Sequence, residues 1–306
     1  MEYTLEVDFA PIYECVSSMS VFMAKQNHNA LEAGKLWVRE VQDRFAPVTL
    51  QKMRNNIKAA NDYSLSPCIW RCPGERTVSG FLDWFEDLSA GQLYEIYAEC
   101  GQTIPANLPE LRGLVSEVLR EWDAHYFSSV NPAILEGLQR EADNRRLQIH
   151  PGGVMELYEE VTGGMRLYPN DKLKHVVITP QYHARPLVTS SFFDEMAFTS
   201  YSADVITPEP GRPAPGLLRL TRALSDETRL CILRLLAQEQ LTFTDIVRSI
   251  GLSKSTIHYH LIALRSAGLV IVHYNSRSME SRNIEYSLRL EALQGLPGQM
   301  GDFLQS

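Results

Sequence analysis

A run of hydrogen-bonding side chains occupies one short stretch near the carboxyl end of this 306-residue chain. Lys254, Ser255, Thr256, His258 and Tyr259 are spaced so that a helix would place them in its first two turns. Hydroxyl, imidazole and ammonium groups there can reach base edges or phosphate oxygens of duplex DNA, and a tyrosine ring can pack on a thymine methyl. These residues predict a helix that enters the major groove.

The neighbouring sequence has the signals needed to position such a helix. Ser253 is a candidate N-cap, and Ile257, Leu261 and Leu264 lie at helical spacing for inward packing. Gly251 can end the preceding helix and permit a tight turn. We therefore predict a helix-turn-helix, against the alternative of a surface helix in an unrelated bundle.

The two preceding helices are also marked by capping signals. Thr242 is predicted to form a capping box with Asp245. Ser225 is predicted to cap an earlier helix whose apolar side includes Leu230 and Cys231. His260 either contacts DNA or braces the preceding helix. The remaining candidate DNA contacts in this region are Thr242, Thr244, Ser253 and Arg265.

A β-hairpin is predicted after the candidate recognition helix. Leu269, Ile271 and His273 would face one way, and the residues between them the other. The polar loop 275–282 carries Arg277 and Arg282, which as a wing would reach phosphate or the minor groove. Solvated loop charges are the alternative. With this hairpin, residues 223–288 have the order of a winged helix-turn-helix.

Two segments of this region resemble the ArsR family of bacterial repressors. The segment "ALSDETRLCILRLLAQ" is similar to that family's "ALADPTRLRILRLLAE"-like opening, and "LSKSTIHYHLIALRSAGLV" to its "LSQSTVSRHLKVLREAGLV"-like recognition segment. The resemblance covers 217–290 and implies a homodimer that sits on a double-stranded operator and leaves when a signal binds. Thr242, Phe243 and Thr244 stand near the place where the family's metal sensors carry a cysteine pair. We therefore expect no metal and no cofactor.

A second resemblance involves the N-terminal segment "FAPIYECVSSMSVF". It is similar to the "SPLWELVASLRLL" opening of ArsR-type regulators that carry a long, uncharacterised N-terminal domain. The resemblance implies the same two-part organisation here.

Composition and charge are compatible with an ordinary globular protein. Hydrophobic residues make up 44% and charged residues 22% of the chain. The five scattered cysteines argue against a disulfide framework and for the cytoplasm, and we expect no signal peptide, membrane span or membrane partner. The net charge is −8, but residues 217–306 carry ten Lys/Arg and eight Asp/Glu, so the acidity belongs to the rest. Such a balance is compatible with DNA binding.

The chain is predicted to have three parts. Residues 1–205 form an N-terminal regulatory or dimerisation domain, 206–216 a Pro/Gly-rich linker, and 217–306 the winged helix. The fold class is mainly α or α+β, a mostly helical N-terminal domain with a small β patch. Strands are predicted at 4–9, 167–168 and 174–179, and a turn at 66–75. Glycines and Pro297 are expected to break the last segment, so that the N-terminal domain takes over part of the dimer contact.

Possible ligand contacts in the N-terminal part are polar and aromatic. Aromatic side chains line small-molecule pockets, although they more often form core. A strand and turn with solvent-facing polar groups is the equal alternative. Cys68 and Cys72 lack the spacing of zinc or thioredoxin motifs and are interpreted as buried thiols. The candidate ligand residues are Trp70, His175, Tyr182, His183 and Arg185.

The favoured hypothesis is a cytoplasmic transcriptional regulator, a repressor relieved by a small-molecule effector bound in the N-terminal domain. An enzyme with an appended DNA-binding head is the alternative. The sequence offers no convergent acid, base and nucleophile, so we expect no enzyme activity and name no catalytic residue. A third hypothesis is an architectural module that uses its winged helix for protein contacts.

Overall fold

The computed structural model describes residues 3–60, 64–101, 107–274 and 284–305. These residues form two compact units. The first, here called the helical unit, comprises Glu6–Leu147 and Lys172–Val205. The second, here called the winged-helix unit, is built mainly from Gln148–Asp171 and Ile206–Ser306.

Helices and strands are numbered along the chain. The helices are α1 (Pro11–Met23), α2 (Gly34–Gln42), α3 (Pro47–Ala59), α4 (Ser66–Arg71), α5 (Val78–Asp87), α6 (Ala90–Glu99), α7 (Leu108–His125), α8 (Pro132–Arg146), α9 (Val154–Val161), α10 (Pro215–Leu224), α11 (Glu227–Leu236), α12 (Phe243–Ile250), α13 (Lys254–Ser266) and α14 (Leu290–Gln305). The strands are β1 (Thr4–Val7), β2 (Met165–Leu167), β3 (His175–Gln181), β4 (Thr189–Phe192), β5 (Met196–Ser202), β6 (Leu241–Thr242), β7 (Val270–Tyr274) and β8 (Glu285–Leu288). The predicted mainly helical fold with a small β patch and a C-terminal winged helix is confirmed. No helix within the described ranges is long and apolar enough to cross a membrane.

The core of the helical unit is aromatic and centres on α7. Trp122 is fully buried, and its ring lies 5.0 Å from Phe22 and 5.7 Å from Phe45, measured between centroids. The indole N–H of Trp122 donates to the Ser18 hydroxyl at 3.0 Å, so burial leaves no orphan donor there. The turn predicted at 66–75 is wrong in its first half, because α4 begins there with Pro67 in its first turn, where proline is tolerated.

A four-stranded sheet in the order β1-β3-β5-β4 accompanies these helices. β3 and β5 run parallel over their full lengths, and β4 pairs antiparallel with β5 at the edge. β3 is buried along almost its whole length, as expected for an inner parallel strand.

The winged-helix unit includes a segment that lies far from it in sequence. β2 pairs in parallel with β7, from Met165 opposite Val272 to Leu167 opposite Tyr274, and the sheet order is β2-β7-β8-β6. The sequence placed this segment in an N-terminal domain ending at residue 205 and treated 206–216 as a separate linker. The structure instead groups both with the winged helix. Sequence periodicity misses this because a parallel pairing between distant segments leaves no local signal.

The added strand changes the environment of β7. Residues Val270–His273 are all buried, so both faces of β7 are covered. The His273 ring bonds with the Tyr168 hydroxyl through Nδ1 at 3.0 Å and with the Ser287 hydroxyl through Nε2 at 2.8 Å. Burial, with a smaller contribution from Arg166, lowers the pKa of His273.

The predicted break in the last segment is also wrong. α14 is one helix that contains Pro297. Ala292, Leu293 and Leu296 lie at helical spacing and pack against the winged-helix core. This packing offsets the backbone hydrogen bond that a proline removes.

A close backbone approach fixes the turn between α9 and β2. Gly164 has a φ of 115°, and a Cβ there would lie 2.5 Å from the carbonyl oxygen of Val270. The carbonyl of Gly164 accepts from the N–H of Val272 at 2.7 Å. Any side chain at this position would therefore push β2 away from β7.

Gly164→Ala should lower the free energy of unfolding of the winged-helix unit by about 1–3 kcal/mol, through backbone strain and displacement of Val270. Urea denaturation of the full chain, followed by circular dichroism, measures the effect. Gly211→Ala is the matched control: Gly211 has a φ of 78°, but no atom lies within 4 Å of the place that a methyl group would occupy, so it tests strain alone. Equal losses in the two variants would contradict the proposed steric role.

Candidate nucleic-acid interface

The turn between α12 and α13 is built from three local devices. The Thr242 side chain accepts from the N–H of Asp245, and the Asp245 carboxylate accepts in return from the N–H of Thr242. Gly251 ends α12 in the left-handed conformation at a φ of 76°. The Ser253 hydroxyl accepts from the N–H of Thr256 and caps α13. All three were predicted, and the structure confirms them.

One half of α13 is buried and the other half is exposed. Ile257, Leu261 and Leu264 are at most 3% exposed and pack into the core of the unit. Tyr259 is 62% exposed. Ser253, Lys254, Ser255 and His258 are exposed as well. The helix therefore presents hydroxyl, ammonium, imidazole and phenol groups on a side that the unit leaves open.

Other predicted contacts are partly engaged within the protein. The Thr242 hydroxyl donates to Asp245 at 2.5 Å, and the half-buried Thr256 hydroxyl lies 2.8 Å from the Ser253 oxygen. Thr244 is exposed on the first turn of α12, and Arg265 is half-buried in the last turn of α13. Arg277 and Arg282, the predicted wing contacts, lie outside the described residues.

His260 was predicted as a possible DNA contact, but it does not lie on the exposed side of α13. The side chain is buried, and its Nδ1 lies 3.7 Å from the carboxylate of Asp226 without a hydrogen-bond partner among the described residues. The same carboxylate accepts from the backbone N–H of Arg229, which lowers the pKa of Asp226. His260 therefore faces the start of α11 from the buried side of α13, which favours a supporting role over a DNA contact.

The prediction for α11 needs two further corrections. Asp226 caps the helix where Ser225 was expected, because the helix begins one residue later. Leu230 is 48% exposed and Cys231 is exposed, since Ile232, Leu233 and Leu236 define the buried side. Helix geometry turns positions 230 and 231 away from that side.

Arg248 is an additional cationic residue that sequence reasoning missed. It is exposed on α12, and its guanidinium lies 3.1 Å from the Asp245 carboxylate. Arg248 lies four residues after Thr244, so both residues are on one side of α12. This spacing could have identified Arg248 from the sequence. A phosphate near α12 would compete with Asp245 for this arginine.

The five predicted ligand residues fall into two groups at opposite ends of β3. In the first group, the Glu6 carboxylate accepts from the Trp70 indole at 3.2 Å and contacts His175 Nε2 at 2.9 Å. The hydrogen bond with His175 is the main cause of the lowered pKa of Glu6. Trp70 and His175 thus have protein partners.

The second group surrounds the fully buried Glu14. Its carboxylate accepts from the backbone N–H groups of Tyr182 and His183 and contacts His183 Nδ1 at 2.5 Å. His183 Nε2 lies 2.7 Å from the Tyr126 hydroxyl, whose pKa burial raises to about 12. The Arg185 guanidinium stacks 3.6 Å above the Tyr182 ring. These contacts hold the loop after β3 against α1.

The cysteines give no indication of a metal centre. Cys68 and Cys72 are buried thiols, and Cys68 donates weakly to the Tyr97 hydroxyl at 3.4 Å. Among the residues that the structure describes, no three His, Cys, Asp or Glu side chains form a group suited to a metal ion.

The order of α10 to α14 with the β6–β7–β8 sheet, together with the open side of α13, defines a winged helix-turn-helix protein. Residues 226–272 match the family described as "Bacterial regulatory protein, arsR family". No curated protein and no solved structure matches the chain. The matched residues include Asp226 and the whole of α13, and exclude the N-terminal part.

Because His260 is buried, a substitution there can distinguish a role in stabilising the winged-helix unit from a role in contacting DNA. His260→Ala should lower the free energy of unfolding by about 1–3 kcal/mol. It should leave the salt dependence of DNA binding unchanged, because no phosphate contact is lost. Lys254→Ala is the comparison, with an expected reduction of the salt slope by about one. Denaturant melts and fluorescence anisotropy over a salt series measure the two quantities; a reduced slope in His260→Ala would refute the supporting role.

Proposed function

We propose that this chain is a sequence-specific transcriptional repressor of the cytoplasm, which binds a double-stranded operator as a homodimer and is released by a small molecule bound in the helical unit. The exposed half of α13 is the observation that carries this proposal. Its groups match what major-groove recognition uses, and its buried half leaves them free to be inserted.

The chemistry of α13 supports base reading more than general attraction to DNA. Lys254 can bind guanine or phosphate, and the hydroxyls of Ser255 and Thr256 can address either bases or phosphates. Tyr259 offers a ring for a thymine methyl. Arg248 and Arg265, one on each helix of the motif, are suited to phosphates and would fix the register of α13 in the groove.

We propose that the winged-helix unit forms the dimer contact through α14. α14 has no fully buried residue, and Leu290 and Leu304 are 50% and 73% exposed. Apolar side chains on a helix that packs on one side only are suited to a second copy. A two-fold dimer would read two half-sites one helical turn apart.

The helical unit is proposed as a binding module without enzyme activity. His183 is 5% exposed and both of its ring nitrogens are engaged, with Glu14 and the Tyr126 hydroxyl. A histidine so placed holds a loop in position and does not exchange protons with a substrate. A ligand in this unit would act by favouring one arrangement of the DNA-reading units over another.

Tyr259→Ala should weaken binding to an operator selected from a random duplex pool by roughly 1–3 kcal/mol, with little effect on random DNA, because Tyr259 reads bases. Fluorescence anisotropy measures both affinities. Tyr94, on α6 of the helical unit, is 57% exposed and provides Tyr94→Ala as the matched control. Parental operator affinity in Tyr259→Ala would exclude α13 as the reading helix.

The full chain should have twice the mass of one protomer in light scattering at micromolar concentration. Leu304→Lys should shift it toward the monomer, because a charge replaces an apolar contact in the proposed interface. Leu147→Lys, at an 86% exposed leucine of the helical unit, is the control. A monomeric parent chain would rule out the dimer.

A further inference from the structure

The helical unit contains a cleft of about 670 Å³. Its lining residues come from α1, α3, α4, α7 and the strands β3, β4 and β5. The volume lies within the range of about 300–1,000 Å³ that is common for small-molecule sites. None of the five residues predicted as ligand contacts lines it.

The wall formed by the helices is mostly apolar, although Ser17 and Ser20 of α1 and Ser66 of α4 also line the cleft. Val16, Met19 and Met23 lie on α1 at helical spacing, with Ile57 from α3 and Val115 from α7 alongside. Tyr13 adds its ring, while its hydroxyl is engaged with Asp8 at 2.8 Å. Methionine side chains adapt to the shape of a bound molecule.

The wall formed by the sheet carries hydroxyl groups. Thr189 of β4 stands opposite Ser200 of β5, and Ser191 lies two residues further along β4. Alternate residues of a strand share a face, so these three side chains lie on the same side of the sheet. None of the three hydroxyls has a hydrogen-bond partner among the described residues.

Two more hydroxyls on this face are buried and unpaired. Thr179 of β3 stands opposite Ser200, is 5% exposed, and its Oγ1 has no partner within the described part of the chain. Ser202 lies two residues after Ser200 on the same face of β5, and its hydroxyl is also buried without a partner among the described residues. A buried hydroxyl without a partner costs stability, so such a group calls for an explanation. Neither Thr179 nor Ser202 lines the cleft, so these two hydroxyls mark a polar patch beside it and are not counted among its ligand-binding groups.

The hydroxyl row runs along this face as far as Ser191, which stands opposite Phe198. From there the same face carries Val177, Met196 and Phe198, which pack with Cys100 and Phe193 in a closed apolar cluster. The polar end is therefore a local feature, and it coincides with the open volume.

Gln181 connects the two walls. It is 2% exposed and accepts from the Ser17 hydroxyl of α1 at 2.7 Å. Its amide donates to the carbonyl of Leu187 at 2.9 Å and of Ser200 at 3.3 Å. These bonds hold the walls at a fixed separation, which a preformed site requires.

Charge is missing from the described lining. No Asp, Glu, Lys, Arg or His occurs among the described residues that line the cleft. A charged ligand would lose its hydration there without gaining a counter-charge.

We propose that this cleft binds an uncharged, amphipathic small molecule, with its apolar side on α1 and its carbonyl or hydroxyl groups on the sheet. The claim that this molecule is the effector rests on the proposed function. The claim that the cleft binds a small molecule does not depend on DNA binding.

The experiment titrates the full chain with two fluorescent probes of one skeleton. N-phenylnaphthylamine is uncharged, and anilinonaphthalene sulfonate adds a sulfonate. The uncharged probe should bind saturably and at least about tenfold more tightly than the sulfonate, because the anion is desolvated without compensation. Equal or tighter binding of the sulfonate, or no saturable binding of the uncharged probe, would overturn the inference.

Variants of neighbouring residues locate the bound probe. Ser191→Leu should weaken binding of the uncharged probe by about tenfold or more, because the larger side chain occupies the cleft. Ser190→Leu is the matched control on the opposite face of β4, where Ser190 pairs with Thr199. Ser20→Trp, at an exposed position of the rim, gives a second blocking variant that places no strain on the sheet. Unchanged binding in the blocking variants, with thermal melting confirming their fold, would exclude the cleft.

Operator affinity, measured on the same preparations without probe, separates the two proposals. Site-specific probe binding without operator binding would refute the proposed function and leave the binding site standing. Operator binding without site-specific probe binding would refute the cleft alone.

Discussion

A helix that reads DNA must be held from one side only, and this constraint governs the winged-helix unit. Half of α13 has to stay open, so its position depends on Ile257, Leu261 and Leu264, on the Ser253 cap and on the turn at Gly251. Buried apolar contacts fix the axis of the helix, and the cap and turn fix where it begins. His260 contributes to the same task from the buried side, where it faces Asp226 at the start of α11. A change in any of these supports would move every polar group on the open side together.

The chain passes between the two units four times, after Leu5, Leu147, Asp171 and Val205. Lys172–Val205, which carries β3, β4 and β5, continues at its start from the Gln148–Asp171 segment and at its end into Ile206, and both neighbouring segments belong to the winged-helix unit. Both segments of the helical unit, Glu6–Leu147 and Lys172–Val205, are therefore continuous at each end with the winged-helix unit, and the second of them carries the sheet wall of the cleft. A ligand with different affinities for two arrangements of this segment would shift the equilibrium between them, which is the thermodynamic requirement for an effector.

Local signals made the winged helix predictable, and non-local packing limited the prediction elsewhere. The Thr242–Asp245 box, Gly251 and the spacing of Ile257 and Leu261 are determined within a few residues, and each was predicted correctly. The pairing of β2 with β7 joins residues about a hundred positions apart, and the burial of His273 follows from it. Faces of helices were predicted less well, since Leu230 and Cys231 are apolar by type but lie outside the packed side of α11. The continuity of α14 through Pro297 depends likewise on packing that spacing alone does not reveal.

The difference between local sequence signals and non-local packing also explains why the residues predicted to bind a ligand do not line the cleft. Aromatic and histidine side chains combine a large apolar body with one polar group, so they can be buried once that group has a partner. Trp70, His175 and His183 have found such partners in Glu6 and Glu14. Serine and threonine on a sheet face depend on a side-chain partner, because the backbone groups of neighbouring strands are used in the ladder; Ser190 and Thr199 have such a partner in each other, whereas Thr189, Ser191 and Ser200 do not among the described residues. Their hydroxyls remain available to whatever fills the adjoining space, and a row of them beside an apolar helix is therefore the stronger indication of a ligand.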